Sequence, residues 1–168
     1  MEALERYLGE DEHRIRVAGL LEPHLAPLEK YSLLTTVRKA LLDESEDPER
    51  RMELMLSLAD VYTENLSDPV SGYHVLLAAL AEFPGDESLW DRLEKQAEMV
   101  EQQEDLKDKL HAIFEGDRID DDVKMKLAGR LARICEEKLQ DPAEAEEYHR
   151  WIFDREPLDD GSFVALEN

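Results

Sequence analysis

The chain has 168 residues, 42% of them hydrophobic and 37% charged, and its 42 acidic against 20 basic side chains leave a net charge of −22. A chain of this size can bury roughly 70% of its unfolded surface, so it forms one domain or a few short repeats and is not disordered. The acidity excludes nucleic acid and anionic membrane surfaces as partners and points to a basic protein or peptide, with solubility alone as the competing reason for so many carboxylates.

The N-terminal stretch MEALERYLGEDEHR is acidic and amphipathic, where a secretory signal needs a basic start and an apolar run. Helices are expected over residues 11–25 and 28–43, with a turn bent or ragged because of Pro23 and Pro27, followed by an acidic connector over 44–49. Over 52–66 the apolar residues Leu54, Met55, Leu58, Ala59, Tyr62 and Leu66 recur at three and four, which is one face of an α-helix. Asp68 and Pro69 follow as cap and first turn of the next helix, which carries Tyr73, Leu76, Leu77, Leu80 and Phe83 and stops at Pro84 and Gly85. Asp86 and Ser88 open a helix with Trp90, Leu93 and Ala97, and another holds Leu106, Leu110, Ile113 and Phe114 before Gly116 ends it. The plan then recurs, with helices over 121–139 and 142–155 and a breaker at 157–161. No apolar run approaches the ~20 residues of a membrane span. Cys135 is the only cysteine, so no intrachain disulfide can form, and a reducing, cytoplasmic address is expected.

Sliding the sequence by 73 residues lays Leu54 on Leu127, Leu58 on Leu131, Ala59 on Ala132, Asp68-Pro69 on Asp141-Pro142 and Pro84 on Pro157. The same shift carried backwards puts Leu20 on Leu93 and Leu33 on Leu106. A unit of 73 residues holds two helical hairpins, being about twice a 34-residue helix-turn-helix repeat.

These residues resemble tetratricopeptide repeats. Leu58-Ala59-x2-Tyr62 is similar to the Leu-small-x2-Tyr part of the first helix, and Gly72, Leu76, Ala79 and Pro84 fit the second helix and terminator if the turn is one residue longer. Trp90-x2-Leu93 and Phe163-x2-Leu166 are similar to repeat openings, and Leu131, Ala132, Cys135, Ala145, Ile152 and Pro157 take the matching places in the second unit. Met55 and Ala128 stand where the family has Trp, His149 stands at an aromatic position, and the hairpin over 88–115 lacks its small residue and its Pro. The resemblance implies an all-α fold: a single right-handed α-solenoid of antiparallel hairpins, about seven helices over 1–168, with hairpins near 11–44, 51–84, 87–116 and 121–156. In this phase residues 1–8 end one helix and 161–168 begin another, so uncapped ends are expected either to continue into a longer array or to pair with a second copy.

By the same resemblance the concave face is formed by Glu53, Leu56, Asp60, Glu64, Asp91, Lys95, Glu98, Met99, Lys126, Arg133, Glu136 and Glu137. That list is mostly acidic and lacks the Lys and Asn with which family members grip a C-terminal carboxylate. A protein-interaction scaffold for basic or amphipathic segments is therefore expected, and no enzyme and no cofactor. Two alternatives remain open. One is a purely structural spacer of a larger array. The other is a ferritin-like metal-binding bundle using the Glu-x-x-His pairs Glu10/His13 and Glu146/His149. The run Asp120-Asp121-Asp122 lacks the Gly and Glu of a calcium loop and is expected to cap a helix, and Cys135 is expected in the core. There is no Gly-rich phosphate loop and no nucleophile elbow.

Overall fold

Capping aspartates divide the chain into short helices. The computed structural model describes residues 14–155. It contains α1 (Arg14–Leu25), α2 (Tyr31–Glu44), α3 (Pro48–Asp60), α4 (Pro69–Glu82), α5 (Glu87–Met99), α6 (Gln103–Glu115), α7 (Asp121–Arg133) and α8 (Pro142–Arg155). Asp47, Asp86 and Asp120 stand before α3, α5 and α7 and accept from the backbone amides of Glu49, Leu89 and Val123 at 3.2, 3.0 and 2.9 Å. Asp68 and Asp141 do the same before α4 and α8, each accepting at 3.0 Å from the amide three residues on. Each cap satisfies one amide that the first turn leaves without an intrahelical partner.

Among the described residues there is no strand, and eight α-helices stand where about seven were expected. The helices expected as continuous over 52–66 and 121–139 each change character near the end. α3 runs on into a wide π turn, Val61–Asn65, and α7 into another, Ile134–Leu139. In these turns the Leu66 amide reaches the Val61 carbonyl at 3.0 Å, and the amides of Asp68 and Asp141 reach the carbonyls of Tyr62 and Cys135 at 2.8 and 2.9 Å. The one residue too many in the turn is absorbed by widening the helix.

The chain divides into two compact units between Glu82 and Phe83. In the first, Leu34, Val37, Leu54, Leu58, Tyr73, Leu76 and Leu80 are buried. Arg51 ties its helices: it donates to both carboxylate oxygens of Glu82 on α4 at 2.7 Å, and to the carbonyls of Leu42 and Ser45 at the end of α2 at 2.6 and 2.8 Å. In the second unit Trp90, Leu93, Leu106, Leu110, Leu127, Leu131 and Cys135 are buried. The Trp90 indole satisfies its N–H on the Pro84 carbonyl at 3.0 Å.

The 73-residue shift holds in the helix bounds: Pro48 and Asp121, Asp60 and Arg133, Pro69 and Pro142, and Glu82 and Arg155 correspond. Carried backwards, it needs a correction. The α1–α2 turn passes through Glu29 at φ 53° and the α5–α6 turn through Glu101 at φ 58°, which lie 72 residues apart. The amides of Lys30 and Gln102 close these turns on the carbonyls of Leu25 and Ala97 in the same register. Leu20 therefore does not take the place of Leu93: it is 65% exposed where Leu93 is fully buried, and Ala18, Leu21 and Leu25 face the core instead. Leu34, not Leu33, aligns with Leu106. The shift is one residue shorter here because the connection to α3 is tighter than the loop between α6 and α7.

Ala59 and Leu131 are buried. Ala59→Trp should abolish cooperative unfolding of the first unit and Leu131→Asp that of the second, seen as loss of the sigmoidal urea transition by circular dichroism. Glu29, Ser67, Glu101 and Gln140 all adopt left-handed backbone, φ 53–58°, without being glycine. Gln140→Gly should therefore raise stability by about 1 kcal/mol, read as a higher urea midpoint, since glycine carries no Cβ penalty there.

Candidate functional site

α5 places four carboxylates along one side at intervals of four, three and four residues: Glu87, Asp91, Glu94 and Glu98. α7 and its π turn place Lys126, Arg130, Arg133 and Lys138 opposite them. Lys126 reaches Glu87 at 2.6 Å, Arg130 reaches Asp91 at 2.7 Å and Glu94 at 2.5 Å, and Arg133 reaches Glu94 at 2.9 Å. The near-constant separation of the rungs, 39 residues for three of them, means that α5 and α7 run parallel. Arg130 also covers the Trp90 ring, 5.5 Å from its centroid, so one guanidinium closes both the ladder and the core beneath it. Its charged form is held against the penalty of burial by hydrogen bonds and attraction from Asp91 and Glu94.

At the far end of the ladder the second unit opens into a cavity of about 250 Å³. Ala97, Leu106 and Ile134 give it an apolar floor, and Asp91, Glu94, Lys95, Glu98 and Lys138 form its charged walls. The floor residues are buried. A cavity of this size takes one or two side chains and falls below the ~300 Å³ at which drug-sized ligands are enclosed.

A second seam joins α6 to α8. Lys107 holds Glu144 at 3.0 Å and Asp108 at 2.9 Å, His111 Nδ1 lies 2.7 Å from the Tyr148 hydroxyl, and Phe114 meets Trp151 edge-on with centroids 4.9 Å apart. Cys135 is buried beside this seam, and burial first, then the Glu144 carboxylate, pushes its thiol from 9.0 up to about 11. The same two causes, in that order, raise the Tyr148 phenol. A thiol so placed is protonated and shielded, the opposite of an activated nucleophile.

No protein-family model and no curated protein sequence matches this chain.

Of the residues expected on a concave face, Asp91, Lys95 and Glu98 come together at the cavity. Lys126 and Arg133 are engaged by Glu87 and Glu94, Met99 is exposed, Glu136 lies 3.1 Å from His149 Nε2, and Glu137 is exposed. In the first unit Glu53, Leu56 and Asp60 lie on α3 and Glu64 on its π turn, with Glu53 held by Arg50 at 2.7 Å. Equivalent places in the two units carry unlike charge: Glu53 and Asp60 correspond to Lys126 and Arg133. Glu87, Glu94, Arg130 and Lys138 were not singled out from the sequence, although the acid spacing on α5 and the basic spacing on α7 are visible in it. Of the Glu-x-x-His pairs, Glu10 and His13 lie outside the described residues, and Glu146 takes a hydrogen bond from Arg150. Among the described residues no three metal-ligating side chains cluster, and no helix is long and apolar enough to cross a membrane.

The raised Cys135 thiol gives a signed expectation. The native thiol keeps a proton that the unfolded one gives up above 9.0, so between pH 9.0 and about 11 this group's contribution to stability falls as pH rises. Near pH 8 the native thiolate fraction is about a hundredfold below that of the unfolded chain. A thiol-reactive dye should therefore label Cys135 at least ~100-fold more slowly in the native protein than in urea, and equal rates would contradict its burial.

Proposed function

We propose that this chain is a protein-interaction module built as a segment of a right-handed, tetratricopeptide-like α-solenoid, and that it holds a basic, amphipathic segment of a partner protein on its acidic side. The observation that carries the proposal is the cavity in the second unit, where an apolar floor of Ala97, Leu106 and Ile134 lies below the carboxylates of Asp91, Glu94 and Glu98. Apolar anchoring with flanking charge is the chemistry by which grooves accept amphipathic helices. The recurrence of helix bounds at 73 residues and the parallel course of α5 and α7 support stacked hairpins. The net charge of −22 supports a cationic partner through long-range attraction.

A spacer role is favoured by a different observation, the ladder itself, because the acids of α5 already have cations of α7 against them. Titration of a labelled helical peptide of leucine, alanine and lysine, with its leucines three and four apart, separates the two. Binding is expected at ~0.1 M ionic strength and should weaken at least tenfold near ~1 M, where the Debye length falls from about 10 to about 3 Å. Replacing the peptide's lysines by glutamate should abolish binding. A lysine peptide that does not bind at low salt would leave the spacer role standing.

A further inference from the structure

The last rung of the ladder is irregular. Three rungs join residues 39 apart, and the same register would set Glu98 against Glu137, another carboxylate. The π turn Ile134–Leu139 advances the chain by one residue, so that Lys138, 40 residues on, meets Glu98 instead. The meeting is loose: Lys138 Nζ stands 3.4 Å from both carboxylate oxygens, where the other rungs measure 2.5–2.9 Å. Both side chains remain wet, Glu98 62% and Lys138 40% exposed, and both line the cavity above the floor of Ala97, Leu106 and Ile134. The first unit has Asn65 at the place of Lys138, so the device belongs to the second unit alone.

We infer that Lys138 is an internal stand-in for the partner: its ammonium occupies the place on Glu98 that a lysine or arginine of the docking segment takes over, while an apolar side chain of that segment enters the cavity beside it. This rests on the function proposed above and specifies its partner. The docking segment carries an apolar residue with a cation within about one helical turn, because floor and carboxylate lie that close on one wall. Charge complementarity favours the exchange. With Lys138 displaced, Glu98 loses the cation that meets it while Asp91 and Glu94 keep Arg130 and Arg133, and the net charge of −22 favours a cation arriving there. The pair that must break is solvent-exposed and long, and such pairs contribute little. Lys138 thus gives Glu98 a cation when no partner is bound, and it sets a threshold that only a cationic segment passes.

The leucine, alanine and lysine peptide at low ionic strength tests this with five variants of the whole chain. Lys138→Met removes the stand-in but keeps an apolar stem, and it should tighten binding roughly two- to fivefold, the worth of an exposed pair. Glu98→Gln should weaken binding, and in its presence Lys138→Met should have no further effect. Lys109→Met removes a cation from α6 outside the cavity and should leave affinity unchanged, which controls for net charge. Lys138→Gln, with thermal unfolding of every variant, separates loss of binding from loss of fold. Binding by the native chain with no gain in either Lys138 variant would overturn the stand-in and leave the interaction module intact. An equal gain in Lys109→Met would also overturn it, as bulk electrostatics, and failure of every variant to bind would overturn both proposals.

Discussion

The wide turn at the end of α3 and of α7 is the constraint from which the placement of later side chains follows. A helix that continued in α geometry past Asp60 or Arg133 would carry its next residues 100° further round for each step. The π turn spreads one residue over that path and a left-handed Ser67 or Gln140 then reverses the chain into a capped Asp-Pro start. Tyr62 and Cys135 offer their carbonyls to the amides of Asp68 and Asp141, so the turn is closed by backbone bonds in both units despite unlike side chains. This backbone device, present twice at the same spacing, is what lets a 73-residue unit recur although few of its side chains are identical.

Charge is distributed in two ways that the total of −22 conceals. On α5 and α7 of the second unit it is balanced rung by rung, and the pair most deeply involved, Arg130 with Glu94, sits against the face of Trp90. Pairs at the surface contribute little singly, but a run of them at fixed separation selects one register of two helices over its neighbours, since a slip by one residue would set Glu87, Asp91 and Glu94 against uncharged residues, Met125, Gly129 and Ala132 or Leu127, Leu131 and Ile134. Glu98 and Glu137 mark the place where that rule would fail, and the π turn resolves it by offering Lys138. On α3 Glu53, Ser57 and Asp60 take the places of Lys126, Arg130 and Arg133, so the first unit cannot repeat the ladder with the same residues.

Much of the fold was legible beforehand. The capping aspartates at 68, 86, 120 and 141 are local signals acting within a few residues, and each does in the structure what its position suggests, whereas Asp47 caps α3 from within the stretch expected as a connector. The core face of α3 and α7 was legible because Leu54, Leu58, Leu127 and Leu131 keep a helical period. The register of α1 was not. Leu20 and Leu21 are adjacent and equally apolar, and periodicity in a helix as short as Arg14–Leu25 does not separate them, so the shift by 73 assigned the wrong one. The π turns were visible only as a turn one residue too long, because hydrophobic spacing alone cannot tell a widened helix from a longer loop. For the cavity, Asp91, Lys95 and Glu98 were legible as positions on the first helix of a repeat, whereas Ile134 and Lys138 were not, since both lie in the π turn.

The amino-acid sequence by itself determined the helical class, the Asp-Pro helix starts at Pro69 and Pro142, the internal repeat and the buried leucines of α3 and α7, because propensity, capping and amphipathic period act over one or two helical turns. Only the tertiary structure decided which carboxylate meets which cation, that α1 is in a register of 72, and that an apolar floor opens beneath Glu98 and Lys138. Those facts depend on the relative placement of helices nearly forty residues apart, and a one-residue change in the width of a turn is enough to exchange a glutamate for a lysine at the point of contact.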